Sequence, residues 1–155
     1  MNVLSLFDGI SCGQIALNRA GIKYDQYFAS EIDKWAIGMC LNNYPNTKHI
    51  GDVVTVRGND LPHINLMIGG SPCQDLSISK KNGLGLNGSK SILFWEYVRL
   101  KNEISPEYFL LENVRNKWVD EMTEALGVEP IEINSSDFSA QNRPRLYWTN
   151  IPIKE

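Results

Sequence analysis

A thiol in a stiff turn is the first chemistry this sequence offers. Cys73 sits in Gly69-Gly70-Ser71-Pro72-Cys73-Gln74-Asp75, directly after the apolar run Leu66-Met67-Ile68. A buried strand that ends in two glycines delivers the next side chains to the C-terminal edge of a sheet, where open α/β proteins keep their ligands. Pro72 fixes φ and removes a backbone donor. An arbitrary cysteine is more often a buried structural residue, but glycine, proline, Gln74 and Asp75 make a poor apolar site. The pattern points to a nucleophile, which would act as the thiolate.

Other polar groups also fall where apolar runs end. Asp8-Gly9-Ile10-Ser11-Cys12-Gly13 follows the first such run and reads as a tight turn. It lacks the full G-x-G-x-x-G spacing of a dinucleotide site, so a phosphate cradle is weakly supported. Glu31 ends the second run, where a carboxylate can accept both hydroxyls of a ribose, and Asp52 ends the third. Either acid alone would equally suit a solvated strand end. Three acceptors at consecutive strand ends beside a glycine turn suggest a nucleoside ligand without pyrophosphate. Glu112-Asn113 closes Tyr108-Phe109-Leu110-Leu111, so Glu112 starts partly desolvated. Arg143 and Arg145, separated by Pro144, alternate along the last run and can face one side of it, although generic surface arginines would look the same.

The elements that position these groups alternate along the chain. Strands are expected at Val3–Phe7, Tyr27–Ala29, a short run ending in Gly51-Asp52-Val53, Ile64–Ile68, Tyr108–Leu111, Ile131–Ile133 and Leu146–Trp148. Helices are expected over Ile15–Ala20 with Gly21 at C′, Asp33–Leu41, a longer stretch from near Ser89 to Ile104, and Val119–Leu126. Strand-then-helix units with unalternated apolar strands predict an α/β fold with a mostly parallel, doubly wound sheet. The glycine-punctuated segment Gly83 to Gly88 reads as a loop.

The 155 residues, 43% hydrophobic, suit one domain with a proper core. No run approaches the roughly 18 apolar residues of a membrane span, and the N-terminus lacks a cationic secretory lead. Cys12, Cys40 and Cys73 are odd in number and widely spaced, and with His49 and His63 show no zinc-ligand spacing. A reduced, cytoplasmic setting is expected. Lys and Arg number 15 against 18 acids, a net charge of −3, which gives no general attraction to nucleic acid.

Taken together, Phe7-Asp8-Gly9-Ile10-Ser11-Cys12-Gly13, Gly69-Gly70-Ser71-Pro72-Cys73-Gln74, Glu112-Asn113-Val114 and Gln141-Asn142-Arg143-Pro144-Arg145 resemble motifs I, IV, VI and VIII of the C5-cytosine DNA methyltransferases. They occur in that family's order and approximate spacing. The Ser-Pro-Cys-Gln-Asp-Leu-Ser form, with Ala29-Ser30-Glu31 and Gly51-Asp52-Val53, is most similar to the animal de novo branch and its phage and bacterial relatives. The resemblance runs from Val3 to about Pro152.

It implies a Rossmann-like S-adenosylmethionine-dependent fold and a covalent mechanism on a cytosine flipped out of DNA. Cys73 would be the nucleophile and Glu112 the group at N3 of the base. Arg143 and Arg145 would serve the base and its phosphate. Ser71, Pro72, Gln74, Asn113 and Gln141 would complete the substrate side, with Asn113 holding the nucleophile turn. For the cofactor, Phe7 would pack on adenine and the Asp8, Gly9, Ile10 and Gly13 turn would meet the methionine portion. Glu31 would take the ribose, Ile32 the adenine face, Asp52 and Val53 its edge, and Leu93 would cover it. Gln74 and the Ser77 to Gly88 loop would close over the base. Family members continue beyond such a region into a target-recognition domain and a closing segment. A single catalytic domain is therefore expected, weak on DNA alone and dependent on a second chain or another copy for recognition. A non-catalytic cofactor- or partner-binding relative, or an RNA cytosine-5 methyltransferase, would carry the same motifs.

Overall fold

The computed structural model describes residues 1–72 and 92–153. Strand β1 (Asn2–Leu6) lies at the centre of a sheet because Val3, Leu4 and Leu6 are apolar without alternation and are wholly buried. It pairs in parallel with β2 (Gln26–Ser30) on one side and β4 (Leu66–Gly69) on the other. Outside these, β3 (Lys48–Gly51) pairs in parallel with β2, and β5 (Tyr108–Asn113) with β4. The last strand, β7 (Pro144–Thr149), inserts between β5 and β6 (Pro130–Asn134), antiparallel to both. The order among the described residues is β3-β2-β1-β4-β5-β7-β6. The chain winds outward from β1 to β3, then returns to β4 beside β1. A crevice opens where that order reverses, at the C-terminal ends of the strands.

Helices cover both faces. Leu17 of α1 (Cys12–Arg19) packs with Val3, Tyr27, Ala29 and Leu66 on one. Phe94, Tyr97 and Leu100 of α3 (Ile92–Ile104), with Met122 and Leu126 of α4 (Val119–Leu126), pack with Leu4, Leu6, Met67, Leu111 and Trp148 in the other cluster. The remaining helix, α2 (Lys34–Asn43), is N-capped by Asp33, whose carboxylate accepts the N–H groups of Trp35 and Ala36. Gly21, at φ +68°, closes α1: its N–H reaches the Asn18 carbonyl and that of Ile22 reaches Leu17, the paired bonds of a Schellman motif. Among the described residues no helix is long and apolar enough to cross a membrane.

Several boundaries differ from the sequence expectation. Helix α1 starts at Cys12, a turn before the apolar periodicity begins, because the buried Gln14 stands in for an apolar residue. Its amide donates to the Ser11 and Thr47 hydroxyls and accepts from Tyr24. Strand β3 ends at Gly51, so Asp52 and Val53 lie in the turn beyond it. Strand β5, by contrast, ends in Glu112 and Asn113, the pair that closes its apolar run in the sequence. Strand β7 begins at Pro144, which leaves Arg143 outside it.

Candidate active site

The strand ends at the sheet's reversal point open into two cavities that share Phe7. Between them runs the loop from β1 to α1, whose backbone is left-handed at Phe7 (φ 57°), Gly9 (58°) and Ser11 (68°). Two of these are not glycine, and such backbone persists only where the surroundings over-determine it. Three bonds do so here. Asp8 N–H donates to the Ser30 carbonyl (3.1 Å), Gly9 N–H to Glu31 Oε2 (2.8 Å), and the buried Tyr27 hydroxyl to Asp8 Oδ1 (2.8 Å). Burial above all, with the charge of Asp8 second, pushes the Tyr27 phenol far up, so it stays protonated and a donor.

The first cavity, about 290 Å³, has Phe7, Ile32, Val53, Val54 and Leu93 as apolar walls and Glu31 and Asp52 among its polar lining. Ser30 and Pro72 also line it. Glu31 does more than the sequence indicated. Its Oε1 accepts the N–H groups of Ile32 (2.8 Å) and Asp33 (2.9 Å) while Oε2 holds Gly9. A carboxylate has about four lone-pair sites. Three are spent on backbone, so the expected pair of ribose bonds is reduced to about one.

The second cavity, about 370 Å³, has Asp8, Cys12 and Gly13 on one side and Gly69, Gly70, Glu112 and Tyr147 on the other. Asp8 Oδ2 is buried and has no hydrogen-bond partner among the described residues. Gly13 is needed for packing as well: a Cβ there would stand 2.3 Å from Ile68 Cδ1 and 2.6 Å from the Tyr27 hydroxyl. Glu112 Oε1 pairs with Arg145 Nε at 2.7 Å, and Gly70 leaves room for the other oxygen, which a Cβ would approach to 3.1 Å. Tyr147 stands opposite Glu112 in the β5–β7 ladder. Burial, then the Glu112 charge, raises its phenol, while Arg145 and Arg143 oppose the shift.

Not every residue expected at the site lines it. Cys73 and Gln74 lie outside the described residues, as does the Ser77 to Gly88 loop. Ile10 is half-exposed and lines neither cavity, because the left-handed loop brings Phe7 and Asp8 to the crevice instead. Ser71 and Asn113 are buried and bonded to each other rather than open to a substrate. Gln141 and Arg143 are exposed ahead of β7; the Arg143 N–H is held by Asn134 Oδ1 at 2.9 Å. Tyr147 and Cys12 were missed. The period-2 step from Arg145 to Tyr147 on one strand face was the available signal.

A model of the C-5 cytosine-specific DNA methylase family matches residues 1–152. The chain belongs to this family. Its curated relatives include methyltransferases of phage and bacteria. It is 33% identical to the orphan methyltransferase M.SPRI of Bacillus phage SPR over 97% of this chain and 38% of that protein. It is 32% identical to the type II methyltransferase M1.ScrFI of Lactococcus lactis subsp. cremoris over 94% of this chain and 40% of that one. The chain thus spans about two-fifths of the length of these relatives. Among solved structures, the S. pombe Dnmt2 methyltransferase superposes with a TM-score of 0.77 at 24% identity, over all of this chain and 53% of that one, so the two share a fold.

Proposed function

We propose that these residues form the catalytic region of a DNA (cytosine-5-)-methyltransferase that uses S-adenosylmethionine. The observation that carries the reading is the Glu112–Arg145 pair, set beside the Asn113–Ser71 clasp two residues short of Cys73. In a C-5 methylase this is the arrangement a base-activating site needs.

The cavities fit the cofactor. The first has apolar walls for a planar base, the Asp52 carboxylate, and Glu31 with about one acceptor site left for a ribose hydroxyl. The second holds the unpartnered buried oxygen of Asp8, an acceptor suited to the ammonium of an amino acid. S-Adenosylmethionine, when bound, supplies an electrophilic methyl on a sulfonium sulfur.

The chain's own residues would make cytosine C5 reactive. The Cys73 thiolate adds to C6, forming the Sγ–C6 bond and moving the C5–C6 π electrons into the ring, where C5 becomes nucleophilic. Glu112 shares a proton at N3 so that the ring does not carry full negative charge. Arg145 fixes the carboxyl that does this. C5 would then take the methyl, the C5–C bond forming as the sulfonium sulfur keeps the electron pair of the broken S–C bond and leaves as a neutral thioether. Loss of the C5 proton to a base would restore the C5–C6 double bond as Sγ–C6 breaks. With 15 Lys and Arg against 18 acids, these residues offer little to hold a duplex. Target recognition is therefore expected from outside them, on the same chain, a second chain or another copy.

Incubation with a 5-fluorocytosine duplex and the methyl donor tests the reading. A stable adduct is expected, because the fluorine cannot leave as the C5 proton does, and Cys73→Ala should abolish it. An adduct that survives the substitution overturns the assignment of Cys73.

A further inference from the structure

The stretch Asp52 to Val56, whose first three residues wall the first cavity, belongs to no strand or helix, yet most of its carbonyls are taken. The Asp52 carbonyl accepts the N–H (2.9 Å) and hydroxyl (2.8 Å) of Thr55. The Val54 carbonyl accepts Arg57 Nη1 at 2.9 Å. The Val53 and Val56 carbonyls both accept Arg99 Nη2, at 3.2 and 3.0 Å, across more than forty residues of sequence. Arg99 is in turn held on its own helix, by Glu96 Oε2 at Nε (2.8 Å) and Glu103 Oε1 at Nη1 (2.7 Å). Glu103 uses its other oxygen to accept the Gly58 N–H at 2.8 Å, and the approach is close enough that a Cβ on Gly58 would stand 2.8 Å from Glu103 Cβ. The same helix, α3, carries Leu93 to the cavity.

We infer that Arg99 is a positioning residue for the nucleoside cavity: it fixes the wall bearing Asp52 and Val53 relative to Leu93, and so sets the preference for adenine. The inference rests on the S-adenosylmethionine reading. Asp52 Oδ1 is committed to the Val54 N–H (3.1 Å), so its carboxylate is aimed by the backbone that Arg99 grips. A fixed carboxylate accepts the exocyclic amine of adenine and has no such donor to meet on hypoxanthine. Only a guanidinium suits the task. Its planar fork binds two carbonyls and two carboxylates at once, whereas lysine is a point charge with three donors.

Calorimetry with S-adenosylhomocysteine and S-inosylhomocysteine, on folded protein well below its melting temperature, decides. Arg99→Gln and Arg99→Lys are both expected to lose about tenfold in affinity for the adenosyl ligand. Their adenosyl-to-inosyl ratio should fall towards one, with no rescue by lysine. Glu103→Gln, which weakens the grip without emptying the site, should move the ratio the same way by less and covers the case of an Arg99 variant that does not fold. Wild-type binding with unchanged ratios in the variants, whatever happens to their melting temperatures, overturns this inference alone. Wild type that binds neither ligand overturns the cofactor reading and this inference with it.

Discussion

Asn113 and Ser71, at the ends of adjacent strands, are joined by two hydrogen bonds: the Asn113 amide donates to the Ser71 hydroxyl at 3.0 Å and to its carbonyl at 3.2 Å. The amide oxygen accepts the Val114 N–H at 2.8 Å, so the whole side chain is committed to backbone and turn. Both residues are almost fully buried. The end of β5 thereby sets the start of the turn that leads to Cys73.

Asn113→Ala should separate catalysis from cofactor binding. Leaving the Ser71 carbonyl and hydroxyl buried without their partner costs about 1–3 kcal/mol of stability. Methyl-transfer kcat should fall, while the S-adenosylhomocysteine Kd stays at the wild-type value because Asn113 lines neither cavity. Urea unfolding and calorimetry on one preparation check both halves. An unchanged kcat would reduce the clasp to a packing role.

The fold was legible in the sequence wherever burial was two-sided, because Val3, Leu4, Leu6, Leu66 and Met67 must be covered from both faces. The positions of Phe7, Glu31 and Glu112 at strand ends were legible because each follows a largely buried apolar run, whereas Asp52 follows β3, which is exposed or half-buried along its length. What stayed hidden depends on partners distant in sequence. Nothing near Glu31 foretold that three backbone N–H groups would occupy it, and nothing near Arg99 that it would grip the Asp52 turn. The insertion of β7 between β5 and β6 was equally hidden, since local pattern carries no strand order.

Gly9, in the loop after β1, and Gly13, in the first turn of α1, should fail for different reasons. A Cβ on Gly9 meets nothing within 4 Å, but φ of +58° costs an L-residue about 1–2 kcal/mol. Because Gly9 N–H is held by Glu31, Gly9→Ala should weaken cofactor binding along with stability. Gly13→Ala instead forces α1 away from Ile68 and Tyr27, an overpacking cost of about 1–3 kcal/mol. Thermal melts with and without S-adenosylhomocysteine distinguish them. Identical losses of ligand-induced stabilisation in both variants would contradict the division.

Acid should loosen the wall that Arg99 holds. The Gly58 N–H first, and the Arg99 guanidinium second, keep the Glu103 carboxyl below its ordinary value of 4.5. A folded value below the unfolded one means a stabilising contribution that is complete above about 4.5 and lost as pH falls through the folded value. The melting-temperature gap between wild type and Glu103→Gln should therefore be widest near neutral pH and close below about 4.5. Glu103 is about a third exposed, so added salt should narrow the gap as well. A gap that is constant from neutral to strongly acid pH would remove Glu103 as its source.

Arg145 should act through Glu112 rather than beside it. Their bond of 2.7 Å joins side chains 18% and 31% exposed, on neighbouring strands whose register is fixed by the ladder between Tyr147 and Glu112. Glu112→Gln, which removes the carboxyl's capacity to share a proton but keeps the shape, should cut single-turnover methyl transfer by about 10²–10⁴-fold, the usual worth of a positioned acid or base. Arg145→Ala leaves the carboxyl unheld and should cost a smaller factor, with Arg145→Lys recovering only part of it because a point charge does not reproduce the guanidinium's directional bond. The double-mutant cycle isolates the coupling. If Arg145 works by holding Glu112, its removal has little further effect once Glu112 is glutamine. Fully additive losses would mean that Arg145 meets the substrate directly, and that the ion pair is incidental to its role.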